Sequence, residues 1–143
     1  MRQGAVLACA ALLLACSPSA PRTSTEVSQD AASNTASIRY EVQALNASGD
    51  VRAAVEYLDA NGHWRMERVV LPWTLREAFG LTMDGKIGLD VRTVAPVSEA
   101  MSLQCEARVL PADADDPYDE RVVGSAGQER CKFVMTAREA LSP

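Results

Sequence analysis

The sequence predicts an all-β fold: an antiparallel β-sandwich of about seven strands closed by one disulfide. Three observations carry that expectation. From Ile38 onward, apolar and polar residues alternate with a period of two, the mark of strands with one buried face. Gly, Asn and Pro turn residues punctuate these runs at even spacing. Cys105 and Cys131 both fall on the inward row of their own runs.

The first strand alternates Ile38, Tyr40, Val42 and Ala44 with polar residues. A turn around Gly49 leads to a second, with Val51, Ala53, Val55 and Tyr57 on one face. Asn61-Gly62 between two alternating runs is a strong hairpin signal, because both residue types tolerate positive φ. Trp64, Met66, Arg68 and Val70 share one face of a third strand, and Pro72 interrupts it. Residues 74–81 admit two readings. Thr74 with Glu77 would form a capping box opening a short helix. Alternatively Trp73, Leu75 and Phe79 line a fourth strand, which the all-β surroundings favour.

Asp84-Gly85 marks a turn before a fifth strand bearing Ile87, Leu89 and Val91. Leu103, Cys105, Ala107 and Val109 define a sixth. The segment 111–120 is an acidic loop, and Arg121-Val122-Val123 is a short strand. Gly124 to Gly127 read as a turn, and Cys131, Phe133 and Met135 make the last inward row. A polar tail with room for one helical turn closes the chain.

The N-terminus sets the expected compartment. Arg2 precedes an apolar run from Ala5 to Ala15, too short to span a bilayer, which takes ~20 apolar residues. It fits a secretory signal. Leu13-Leu14-Ala15-Cys16 reads as a bacterial lipobox, with cleavage before Cys16 and a lipid such as palmitate on its thiol. Ser17 rather than Asp follows, so sorting to the periplasmic face of an outer membrane is expected in a cell with two membranes. The expected organisation is a lipoprotein signal over 1–15, a lipidated cysteine and Ser/Thr/Ala/Pro-rich flexible tether over 16–37, and a sandwich over 38–143. Export makes a Cys105–Cys131 disulfide the expectation. It would stabilise by roughly 3–4 kcal/mol on the chain-entropy model.

Composition excludes some classes. The net charge of −5, with no basic run, argues against nucleic acid and against an anionic bilayer surface as partners. His63 is the sole histidine and sits beside a turn, without partners for a triad or a zinc site. Asp113, Asp115 and Asp116 suggest calcium, but the spacing is not that of an EF-hand and Pro117 follows; a solvated acidic loop is the expectation. Trp73 reads as a buried anchor at a strand break, with an exposed ligand platform as the other reading. No phosphate loop or nucleophile elbow occurs, so no catalytic residue, metal or cofactor is expected.

A resemblance adds to this reading. It is carried by Tyr40-Glu41-Val42, by Val55-Glu56-Tyr57-Leu58-Asp59-Ala60-Asn61-Gly62, by Leu71-Pro72-Trp73-Thr74, and by Cys105, Gly124 and Cys131 in that order. The stretch from Ser37 to Met135 resembles the small membrane-protein family of mycobacteria, the MmpS family. The resemblance implies a small periplasmic β-sandwich, immunoglobulin- or transthyretin-like, in which Pro72, Trp73, Cys105 and Cys131 are structural. It also implies an accessory role beside a resistance-nodulation-division (RND) transporter. The chain departs from the family in carrying a lipobox where the family has a membrane helix, and in a longer acidic loop. The expected function is a lipid-anchored interaction module of the cell envelope, not an enzyme. The alternative is a binding lipoprotein for a small apolar or lipidic ligand.

Overall fold

The computed structural model describes residues 34–143. The expected signal and lipobox, Cys16 and nearly all of the expected tether lie outside these residues. Nine strands form two sheets. They are β1 (Thr35–Leu45), β2 (Arg52–Leu58), β3 (Trp64–Val70), β4 (Trp73–Thr74), β5 (Phe79–Thr82), β6 (Lys86–Thr93), β7 (Ser102–Pro111), β8 (Arg121–Gly127) and β9 (Arg130–Thr136). A short helix, α1 (Ala137–Leu141), ends the fold. In the first sheet β4 and β5 share one edge of β1, followed by β7 and β8. The second runs β3-β2-β6-β9, and all pairings are antiparallel. The expected all-β sandwich is therefore the fold.

The inward rows are those the alternation marks in every long strand but β3, where the row Trp64, Met66, Arg68 and Val70 is exposed on the outer face and only Val69 is partly buried. Ile38, Tyr40 and Val42 face Val55, Leu89 and Val91 across a dry core, all with no solvent exposure. The Cys105–Cys131 bridge ties β7 of one sheet to β9 of the other. Both sheets, the core between them and the disulfide are formed wholly by residues 34–143, so this part carries its own core.

Tyr40 makes the second tie between the sheets. Its hydroxyl donates to Leu58 O at 3.0 Å and accepts from Gly88 N at 3.1 Å. The β2–β6 ladder stops at Tyr57 opposite Leu89, and Leu58 opposite Gly88 would be its next step. The phenol reaches across the core and stands in for that missing step. Burial pushes its pKa up to about 12, so it stays protonated and able to donate.

Several details differ from the expectation. The first strand begins at Thr35, ahead of Ile38; Thr35 pairs with β5, and Ala36 and Ser37 pair on both sides, with β5 and with β7. Their Thr-Ala-Ser composition hides the alternation. The 74–81 segment is neither one strand nor a helix. Its register against β1 shifts by two residues between Val42↔Trp73 and Ile38↔Phe79, so the chain bulges out between β4 and β5. The capping box forms instead at the C-terminus, where Thr136 and Glu139 open α1 and bury Ala137 and Ala140. Gly124 lies inside β8 rather than in a turn, because a Cβ there would meet Cys105 O at 2.2 Å. In the Asn61-Gly62 hairpin only Gly62 takes positive φ, at 74°. Asp59 organises that turn, its carboxylate accepting from Asn61 N and His63 N at 2.9 Å.

Tyr40→Phe leaves a buried carbonyl and a buried N–H without their shared partner. A loss of about 2 kcal/mol is expected by urea denaturation. Reduction of the disulfide is expected to cost roughly 3–4 kcal/mol more, measured on the same curve.

Candidate interaction surfaces

Of the residues singled out in the sequence, Cys105 and Cys131 are joined as expected. Pro72 follows Leu71 through a cis peptide bond. Trp73 is half-buried rather than fully buried, at the rim where β4 of one sheet meets β3 of the other. His63 is exposed in its turn. Among the described residues, no group of three or more His, Cys, Asp or Glu side chains is placed to hold a metal ion. Within the acidic loop, Asp116 caps a 3-10 turn over Pro117–Asp119 by accepting from Tyr118 N at 2.9 Å. No described helix is long and apolar enough to cross a membrane.

The rim at Trp73 is the first candidate surface. The Glu67 carboxylate accepts from Tyr57 OH at 3.1 Å and from Trp73 Nε1 at 3.2 Å. The Tyr57 and Trp73 rings lie 5.7 Å apart. Burial is the first cause, and the Glu67 hydrogen bond the second, that raises the Tyr57 pKa. Beside this clamp, Val69, Trp73 and Leu75 line an open cleft of about 570 Å³ together with Glu67, Arg76 and Glu77. Among the described residues β3 pairs only with β2, which leaves its other edge without a strand partner beside the cleft.

The outer face of the second sheet is the other candidate. Register builds it in rows: Trp64 beside Leu58 and Gly88 beside Val134; then Met66, Glu56, Asp90 and Lys132; then Arg68, Ala54, Arg92 and Arg130. Val70, Arg52 and Val94 make the last row. Trp64 lies across Gly88, where a Cβ would come within 3.2 Å of its indole.

Asp90 is the charge centre of this face. It is only 5% exposed. Arg130 grips it with two nitrogens at 2.9 and 2.7 Å, while Arg92 stands at 3.3 Å and Lys132 at 3.6 Å. Hydrogen bonding to Arg130 overcomes burial and holds its pKa near about 2. No signal in the sequence distinguished Asp90 from other outward acids. Its partners are cross-strand neighbours, and they follow only from the pairing of β6 with β9.

The first sheet's outer face differs. Arg39 and Arg108 there balance Glu41 and Glu106, and Arg108 is further paired with Glu41 and with Glu120, each at 2.9 Å. Compared with family models, characterised proteins and solved structures, the chain matches none. Fold and surfaces together define a disulfide-bridged all-β sandwich with two unlike exposed surfaces, a mixed apolar and polar cleft at the rim and a cationic sheet face.

Asp90→Asn removes the negative charge and turns one of the two acceptor oxygens facing the cations into a donor, and a loss of about 2 kcal/mol at neutral pH is expected. The folded pKa lies below the usual carboxylate value, so this contribution is full above pH about 4 and vanishes as pH falls through about 2. The gap between wild type and variant should narrow over that window, read by chemical denaturation at each pH.

Proposed function

We propose that the chain is an extracytoplasmic, lipid-anchored module that works by binding, accessory to an RND-type transporter of the cell envelope. The observation that supports binding best is the rim cleft. It combines apolar side chains at Val69, Trp73 and Leu75 with the unpaired edge of β3, and one of its two acids, Glu67, is occupied by two hydrogen bonds. A partner segment can add to such an edge as a strand and seat an apolar side chain in the cleft. The lipobox at Cys16 and the block resembling the MmpS family support the anchor and the transporter. A small apolar or lipidic ligand is the second reading. The same cleft favours it, because the space between the sheets is filled by side chains.

A photo-crosslinking residue in place of exposed Arg76, in the full lipidated chain, should capture an inner-membrane transporter in cells. Capture of no membrane complex would remove the accessory role. Cys16→Ser should release the protein from the membrane fraction, and continued fractionation with membranes would sink the anchor. Native mass spectrometry of the purified protein reads the second reading: a co-purified lipid lost on Trp73→Ala supports it, and a bare chain counts against it.

A further inference from the structure

We infer that the outer face of the second sheet docks flat on an anionic phospholipid bilayer, leaving the Trp73 rim open to a protein partner. The inference rests on the anchored reading above for the nearness of a membrane, but the face itself stands on separate observations.

Charge is the first. The net charge of the chain is −5. Yet six of its 14 basic side chains project from this one face: Arg52, Arg68, Lys86, Arg92, Arg130 and Lys132. Only Glu56 and Asp90 oppose them there. The rim acids Asp59 and Asp84 are already paired with Arg65 and Arg138. Arg52 and Arg68 enter no ion pair among the described residues, so they are available to phosphate.

Apolar exposure is the second observation. Eight large hydrophobic side chains are exposed among the described residues, and five of them are on this face: Trp64, Met66, Val70, Val94 and Val134. Trp64 is 46% exposed and Met66 62%. They are interleaved with the arginines rather than gathered in a pit. A tryptophan among cations on a flat surface suits the headgroup region, where an indole is half in hydrocarbon and half in water. Four strands side by side make a broad, shallow platform, which fits a planar surface better than a small ligand.

Reach is the third. Seventeen residues separate Cys16 from Asn34. Fully extended, they span at most about 60 Å. An anchored domain therefore stays close to its bilayer, and even weak docking is populated at such effective concentration. A cation near an anionic surface contributes about fivefold in binding, so a few unpaired arginines suffice.

The test uses residues 17–143, which lack the leader and Cys16 but hold the complete core, with vesicles of phosphatidylcholine alone or mixed with phosphatidylglycerol. Cosedimentation with the mixed vesicles should exceed that with neutral ones at least tenfold and fall as salt is raised. Arg52→Glu with Arg68→Glu should abolish the excess, and Arg68→Gln alone should lower it several-fold. Arg39→Glu with Arg121→Glu, the same charge change off this face, should leave vesicle binding far stronger than the first pair does. In a Trp73→Phe background, Trp64 emission should shift to the blue on binding. Equal binding to both vesicle types, or equal loss from both variant pairs, overturns the inference. So does an unmoved Trp64 spectrum with bound vesicles. Protection of this face by an acidic protein but not by vesicles also overturns it and assigns the face to a protein. None of these outcomes depends on the crosslink at Arg76, so this inference and the transporter reading fail separately.

Discussion

One phenol fixes the geometry on which the rest of this fold depends. Tyr40 crosses the core from β1 and bonds to Leu58 and Gly88, at the point where the β2–β6 ladder gives out. An unpaired carbonyl and N–H there would be costly in a buried setting. The hydroxyl satisfies both, and it locks the two sheets in register from inside. Gly88 is open on its other side, and Trp64 occupies that space. The same short stretch therefore joins the core to the exposed apolar row. The disulfide makes a second tie between the sheets, from β7 to β9, with Cys105 opposite Val42 on the neighbouring strand.

With the sheets held in place, the surface charges sort by face. On the first sheet, Arg108 bridges Glu41 and Glu120, and the outer face is balanced. On the second, one nearly buried acid, Asp90, gathers three cations and leaves an excess around it. Charge-assisted hydrogen bonds of this kind are stronger than neutral ones, so Asp90 holds Arg92 and Arg130 in fixed positions. The result is an acidic protein with a cationic platform. Its rim is different again, with an aromatic clamp closed by Glu67 and a free strand edge beside it.

Much of the fold was legible in the residues because a half-buried strand writes its own pattern. Ile87, Leu89 and Val91, or Leu103, Cys105, Ala107 and Val109, need no partner to reveal which side is inward. Three local signals misled for definable reasons. Gly124 reads as a turn residue, yet it is glycine because β7 leaves no space for a side chain. Thr74 and Glu77 have the spacing of a capping box, but pairing with β1 holds Thr74 in a strand, and Thr136 and Glu139 form the box instead. Thr35 to Ser37 look like tether but are drawn into the sheet by β5, and Ala36 and Ser37 by β7 as well.

By itself the sequence determined the class of fold, most of the inward rows and the inward position of the two bridging cysteines, since each depends on local alternation. The tertiary structure alone decided which outward residues became neighbours. Arg52, Arg68, Arg92 and Arg130 lie on four different strands and look like scattered surface charges in the chain. Strand order and register place them together on one sheet face with Trp64 and Met66, Arg92 and Arg130 against Asp90 and the other two unpaired among the described residues. A surface is a property of pairing between distant segments, and that information is not contained in any one of them.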